Sequence, residues 1–553
     1  MVVLPHYLVI LLLAGVSSVF VPKNRMIYWW ASVVIASLIY SALFLMGCFG
    51  SNALTFDWQA IPNIPIAISF VPEYFGCCAC LGVLALSFFA VYYNILVTKE
   101  ESPNAMNGLI LLNCVFVISA ILSPNYIQLL AAVGMSDVIV FSAINQLDAK
   151  KQYIYGNFFA DFILLNTFAL IFVQSDSIVI SNFGDASKQW SHRDFIAIML
   201  LLSIFIKSGL LMFHTAYQKM SSLNYNRLNF ILYVTTPLIG AIIFENIKDV
   251  FVISPYSYPL LKIFSVLTIL FAVLGTLCVD NIKRKAVYLS MMFWGLIFVG
   301  YAWQINTVSP KFYVLLLSAF LFNNSLMLVY KAASDEVLIS RMGGFLKSLK
   351  FTFFINAVSV VLYAVTWWIY AQKSIPYAII GLFVISITSA HVFSEVYLSQ
   401  SKADEWVLAR LKNPLFLLWL PIILVAAAVI YAKLNEWQYI YGFAVLWMLL
   451  FIFHPFRKLS LMYKYDSFQK SDKVTWLYNF FILAPLKFFG RALRLIVDFV
   501  FIEKTILASI KSAIRFAVFI FRKLHGKNIW GYMIFVLSAV IIIAVAYYKG
   551  VMQ

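Results

Sequence analysis

Apolar runs long enough to cross a bilayer fill this chain from Leu8 to about Tyr547, cut by short polar breaks such as Pro22-Lys23-Asn24-Arg25. A helical crossing needs roughly 17–25 mostly apolar residues. Lipid offers no partner to a bare backbone N–H or C=O, so segments of this kind fold as helices. The pattern predicts an all-α fold, a polytopic membrane bundle of roughly sixteen transmembrane helices. Their centres fall near residues 14, 37, 86, 114, 135, 163, 204, 238, 268, 294, 321, 361, 387, 423, 446 and 538. No hydrophilic stretch is long enough to fold as a globular domain. The first apolar run is followed by many others, which makes it a span rather than a cleaved signal peptide.

One stretch departs from this pattern. Between about Leu483 and Leu524 charges recur at Lys487, Arg491, Arg494, Asp498, Lys504, Lys511, Arg515 and Arg522, mostly three, four or seven residues apart. That spacing keeps them near one face of a helix, with Phe, Ile, Val and Leu on the rest. Pro485 suits the start of such a helix and Gly526 its end. Forty-odd residues at 1.5 Å each make a rod of ~60 Å, longer than a bilayer is thick. The alternative is two ordinary spans with charged ends. The regular recurrence favours a long amphipathic helix lying along the membrane surface, anchored by a last span at Ile529–Tyr547.

Composition changes this picture little. Apolar residues make up 63% and charged ones 11%, with 40 Lys plus Arg against 23 Asp plus Glu, a net charge of +17. In a soluble protein that excess would raise nucleic acid as a partner. Here the cations sit in short loops, so they read as topology and lipid-headgroup signals, with no nucleic acid expected. Lys23/Arg25, Lys150/Lys151, Lys283/Arg284/Lys285, Arg341/Lys347/Lys350 and Arg457/Lys458/Lys464 all follow odd-numbered spans. Loops after even spans, such as 50–65, are neutral or mixed. The positive-inside rule then puts both termini outside and the basic loops in the cytoplasm, or in the matrix of a mitochondrion. Lys99-Glu100-Glu101 runs mildly against it. Cys77 and Cys80 form one Cys-x-x-Cys spacing with no second pair or nearby histidine, so they read as small buried helix residues rather than a metal site. A Gly-rich phosphate loop and a nucleophile elbow are both missing.

Function must then be sought among the ionisable groups inside the spans, each of which costs several kcal/mol unless paired or hydrated. Asp161 lies well inside the sixth span and Lys207 inside the seventh, with His214 seven residues on and hence two turns along the same face. An Asp and a Lys on neighbouring helices can shift each other's pKa as a proton relay requires. They can equally form a static buried brace, and the residues alone divide evenly between the two. Asp137, after Gly134-Met135-Ser136 in the fifth span, can join the same polar line or face a hydrated cavity. His391 sits mid-span with Glu395 four residues later on the same face, which suits a mutually satisfying hydrogen bond. Asn323 and Asn324 lie in the eleventh span, where amides bridge helices. Lys283, Arg284 and Lys285 are read first as topology signals.

Taken in order, these pieces resemble the largest antiporter-like membrane subunit of respiratory complex I, the NADH–quinone oxidoreductase (subunit L in bacteria, chain 5 in mitochondria). Phe205-Ile-Lys207-Ser-Gly-Leu-Leu-Met-Phe-His214-Thr215 is similar to that family's seventh-span motif. Asp280-Asn-Ile-Lys283-Arg284-Lys-Ala-Val-Tyr288-Leu-Ser290-Met291 resembles its Asp-Ile-Lys-Arg loop and helix start. Arg341-Met342-Gly343-Gly344-Phe-Leu-Lys347-Ser348 resembles its Met-Gly-Gly loop, and Thr388-Ser389-Ala-His-Val-Phe393 its thirteenth span. Asp161 falls where the family has a sixth-span aspartate, and the surface helix with its terminal span resembles the tail of this subunit. Each motif alone is weak, but five in order plus the tail are fairly specific.

The resemblance implies a line of acid and base groups through the bilayer midplane, driven by quinone reduction elsewhere in the complex. It implicates Lys207, Asp161, Asp137, His214, Lys283, Lys373, His391 and Glu395 in a proton pathway. It also implies N-terminal helices at 1–122, an antiporter-like core of two inverted repeats at 123–398, C-terminal core helices and a basic loop at 399–475, the lateral helix at 476–526 and the anchor at 527–553. FMN, iron–sulfur clusters and quinone would belong to partner subunits of the membrane complex, with no cofactor on this chain. The expected setting is a bacterial inner membrane, or a mitochondrial one. Several positions depart from the pattern. The family's fifth-span Gly-Trp-Glu reads Gly134-Met135-Ser136, with Asp137 one place further on. Its eleventh-span His-Ala-Phe-Phe-Lys reads Ser318-Ala-Phe-Leu-Phe322, and the prolines before the eighth span are replaced by Leu223-Asn-Tyr-Asn-Arg227. Lys373 matches the twelfth-span lysine only across a short gap. Two rivals to the complex I reading therefore stand: a proton-coupled cation or anion transporter subunit outside complex I, and a structural paralogue that conducts nothing.

Overall fold

A computed structural model describes residues 3–398 apart from 23–24, 49–53, 57–67, 71–73, 98–102, 176–178, 181–191, 304–309, 212, 343 and 347, together with 421–423 and 425. The spans expected near 446 and 538, nearly all of that near 423, the lateral helix and the terminal anchor lie outside the described residues. Each of the thirteen more N-terminal centres falls on a helix or a helix pair. These are α1 (Val3–Ser17), α2 (Met26–Cys48), α3 (Tyr74–Val97), α4 (Pro103–Ile121), α5 (Tyr126–Ala143), α6 (Leu147–Ser175) and α7 (Arg193–Ser208). The series continues with α8 (Thr215–Met220), α9 (Tyr225–Val234), α10 (Thr236–Asn246), α11 (Lys248–Ile253), α12 (Ser257–Cys278), α13 (Ile282–Ala302), α14 (Pro310–Ala332), α15 (Lys350–Ala371) and α16 (Ile375–Tyr397). The described protein is thus a polytopic helical bundle, with ten helical spans long and apolar enough to cross a membrane. Between α2 and α3 the chain carries a short antiparallel pair, Leu54–Phe56 with Ile68–Phe70.

Local chemistry sets the helix ends. The Asn125 side chain accepts from the Gln128 N–H at 2.8 Å, and Asn281 accepts from the N–H groups of Lys283 and Arg284. Both caps satisfy donors that a helix start leaves bare. Burial sorts the spans into two sets. The α9–α10 segment, α13 and α14 are almost wholly enclosed, whereas α5, α6 and α12 turn more than half of their residues outward. Three central spans are therefore wrapped by others whose apolar outer faces suit lipid.

Two spans are broken at depth. Helix α7 stops at Ser208, where Gly209 takes a φ of +62°, and the chain resumes as α8 only at Thr215. A side chain at Gly209 would run into the Tyr217 ring. His214 is therefore not two turns along one helical face from Lys207, because the helix ends at Ser208 and the next begins only at Thr215. The eighth span is also interrupted, although the prolines expected to break it are missing. Thr235 has φ −120° and ψ −124°, which separates α9 from α10. Pro237 has no N–H to give the carbonyl one turn back, which weakens the ladder there. Side chains take up the freed acceptors. Asn113 Nδ2 donates to the Val234 carbonyl at 2.9 Å, and Trp294 Nε1 donates to that of Leu232 at 2.9 Å. Irregular backbone at membrane depth survives only when protein encloses it in this way.

Candidate functional site

Lys207 is the penultimate residue of α7, so its ammonium extends from the C-terminal end of a half-helix. The partial negative charge there favours a cation. The side chain is completely buried. Its Nζ lies 2.6 Å from Asp137 Oδ2 on α5 and 2.7 Å from Asp161 Oδ1 on α6. Asp137 is also held on its other side, where the Tyr153 hydroxyl donates to Oδ1 at 2.9 Å. The Thr236 hydroxyl, 2.8 Å from Tyr153 Oη, in turn donates to the phenol from the first residue of α10. The cluster thus ties α5, α6 and α7 to the break in the eighth span. One lysine faces two carboxylates, which leaves a formal surplus of one negative charge unless a carboxyl holds a proton.

The geometry depends on close helix approach. A side chain at Gly240 would overlap Ser208 Oγ, so the glycine lets α10 press against the end of α7. The broken backbone is pinned on both sides: Tyr217 Oη donates to the Lys207 carbonyl at 2.7 Å, and the Leu211 N–H donates to Thr268 Oγ1 at 3.0 Å. Next to this turn, Ser208, His214, Ser290 and Trp294 line a cavity on the scale of one water molecule. His214 lies buried on that cavity wall with its ring 4.8 Å from Phe271. Beyond it the central helices carry uncharged polar groups. Asn323 Nδ2 donates to Asn229 Oδ1 at 2.9 Å, so the eleventh-span amide does bridge two helices, α14 and α9.

The remaining expected residues sit elsewhere. Lys283 turns inward at the start of α13 and donates to the Leu223 carbonyl at 2.9 Å. His391 Nε2 lies 3.4 Å from Glu395 Oε1, as their spacing suggests, and 3.2 Å from the Leu277 carbonyl. The Glu395 carboxylate also meets Lys285 Nζ at 2.6 Å, and that lysine is wholly buried. Sequence reasoning missed it by treating the three consecutive cations as one loop signal. The available clue was its place four residues after the Asn281 cap, inside the helix. Lys373 is brought to none of these groups, because it stands exposed in the turn after α15. Near Lys285 and Glu395, Asp280 accepts from the Ser340 N–H and hydroxyl, and burial raises its carboxyl pKa above the usual range against the pull of those bonds.

The comparisons with known proteins fit this geometry. No curated protein sequence matches the chain significantly. Among solved structures, a chain of the membrane-bound sulfane sulfur reductase (MBS), described as an archaeal respiratory membrane complex, superposes with a TM-score of 0.64 at 15% identity, covering 98% of this chain and 100% of that one. A chain of the Mrp complex from a Dietzia species superposes with the same TM-score at 13% identity, over 99% of this chain and 63% of the other, so this protein spans less than two thirds of that relative. At such identities the likeness shows the fold. Residues 126–366, which hold Asp137, Asp161, Lys207 and both broken spans, match the transmembrane family model of the NADH:quinone oxidoreductase/Mrp antiporter proteins. Over these residues the chain is similar to the antiporter-like membrane subunits that this family model describes.

Proposed function

We propose that this protein carries protons through the membrane arm of a respiratory complex related to NADH–quinone oxidoreductase, with the redox chemistry on partner subunits. The carrying observation is the wholly buried Lys207 ammonium between Asp137 and Asp161 at the end of a broken helix. While both carboxylates are charged, they hold the lysine's proton firmly. Protonating either one weakens that hold and frees the ammonium to move toward the water-sized cavity beside His214. A conformational change in a partner that tilts α5 or α10 would shift the same balance through the contacts of Tyr153 and Thr236. FMN, iron–sulfur clusters and quinone fit the partners of such an arm, and a bacterial inner membrane fits the setting.

The test uses the complex that co-purifies with the full chain, reconstituted into liposomes that contain a pH-sensitive dye. Lys207→Ala and Asp137→Asn are expected to silence proton movement while the assembly survives. Unchanged movement in both variants would leave the chain as a brace. Mass spectrometry of the co-purified subunits decides the complex, since quinone-reductase partners support this reading and their replacement by antiporter subunits alone refutes it.

A further inference from the structure

Helix α6 presents one continuous outward stripe, in which Ile154, Phe158, Phe162, Leu165 and Phe172 are all exposed. From Ile154 to Phe172 the helix rises about 27 Å at 1.5 Å per residue, close to the ~30 Å hydrocarbon core of a bilayer. Asp161 stands within this stripe, three residues after Phe158 and four before Leu165, so it shares their face. It lies about 10 Å from one end of the stripe and about 16 Å from the other. The apolar residues alone would suit lipid. The carboxylate between them does not.

Asp161 and Asp137 share the Lys207 ammonium but differ in their surroundings. The Asp137 side chain is 12% exposed, and its second oxygen takes the Tyr153 hydroxyl inside the bundle. The Asp161 side chain is 29% exposed, on the outer face. One ammonium cannot neutralise both carboxylates, so the surplus negative charge lies at the edge of the bundle. A proton would remove the charge but would still leave a carboxyl group against hydrocarbon, which supplies no hydrogen-bond partner. Asn166 is exposed on the same helix, and its Nδ2 donates to the Phe162 carbonyl at 2.7 Å. That leaves the amide oxygen as the group on offer. The polar groups of this face are therefore acceptors, and whatever covers it must bring donors and positive charge. Helix α5 packs beside α6 and extends the face with exposed Met135 and Val138. Between them and the start of the helix, a Cβ added at Gly134 would meet nothing within 4 Å, which leaves room for a close neighbour.

We propose that this α5–α6 face is covered by a transmembrane helix of a partner subunit, which sets a lysine or arginine side chain against Asp161. The inference rests on the reading above only in taking the chain as one subunit of a membrane complex, and does not need Lys207 to carry protons. A second copy of this chain does not supply the cation from its own mid-span lysine, because Lys207 is completely enclosed. With the partner's cation in place, two positive groups face two carboxylates and the site is neutral.

The experiment uses the complex that co-purifies with the full chain, carrying the photoreactive residue benzoylphenylalanine in place of Phe158 or Leu165. Mass spectrometry after irradiation should find both adducts on one transmembrane helix of a partner, with Lys or Arg within two turns of the attachment points. Lipid adducts at both positions, a helix without such a cation, or attachment to a second copy of this chain overturns the interface. Asp161→Asn leaves Lys207 paired with Asp137, so the charge balance inside the chain survives, while the partner's cation loses its counterpart. This variant should release the subunit bearing the basic helix about tenfold more readily in a detergent wash, and Asp161→Glu should retain it. Undiminished retention in Asp161→Asn overturns the pairing whatever the adduct, and the wash decides alone if neither photoreactive variant assembles. Quinone-reductase partners together with lipid adducts overturn this interface and spare the membrane arm. A chain that purifies without any partner overturns both, and unchanged proton movement in Lys207→Ala overturns the carrier while sparing the interface.

Discussion

Replacing Lys207 by methionine keeps the apolar stem and deletes one buried positive charge. In the intact cluster the ammonium lies 2.6 Å from one carboxylate and 2.7 Å from the other. At an effective dielectric constant near 20, each contact contributes about 6 kcal/mol of direct attraction before desolvation is counted. Those distances put the two carboxylate oxygens no more than about 5.3 Å apart (2.6 Å plus 2.7 Å). Their repulsion is then at least about 3 kcal/mol on the same scale. With lysine present attraction wins. With methionine only repulsion and two desolvated charges remain. Removing one partner of a buried pair typically costs about 3–5 kcal/mol, part of which the cluster avoids by taking up a proton. Lys207→Met should therefore lower the thermal midpoint of the complex and strengthen the infrared band of protonated carboxyl relative to the unaltered protein. Adding Asp161→Asn removes one of the two repelling groups and should recover part of the lost stability. A Lys207→Met complex as stable as the unaltered one would refute the reasoning, as would a double variant less stable than the single.

Three further outcomes follow from the same geometry. Asn113→Leu strips the Val234 carbonyl of its donor and Ser136 of its acceptor, and should cost about 1–3 kcal/mol in thermal unfolding. Gly240→Ala drives a methyl group into Ser208 Oγ and should destabilise the complex by about 1–3 kcal/mol. Ser208→Ala in the same chain should return part of that loss, because it removes the first atom struck. Lys373→Ala, at an exposed turn, should leave thermal stability within about 0.5 kcal/mol and proton movement unchanged.

What the sequence made legible, and what it hid, divides along a physical line. Span positions depend on local apolar content, so centres at 135, 163 and 204 fall on α5, α6 and α7 with no knowledge of packing. The choice of partners depends on packing alone. Asp161 and Lys207 suggested a pair because each is an uncompensated charge at mid-span, whereas Asp137, one place beyond the family's glutamate position, could as well have faced a hydrated cavity as joined that line, and the fold brings it to the same ammonium. A shift of one residue on a helix turns a side chain by about 100°, so alignment alone cannot say whether a displaced carboxylate keeps its partner. The break at Thr235 was hidden for a related reason. Its stability comes from Asn113 and Trp294, which lie 122 and 59 residues away in sequence. Lys285 shows the reverse error, since a cation beside a loop reads as a topology signal until the fold reveals it fully enclosed against Glu395. Charges in a membrane protein therefore carry two messages, orientation when they reach water and chemistry when they do not. Burial separates the two, and it puts Lys207 and Lys285 on the same side of that divide with Lys373 on the other.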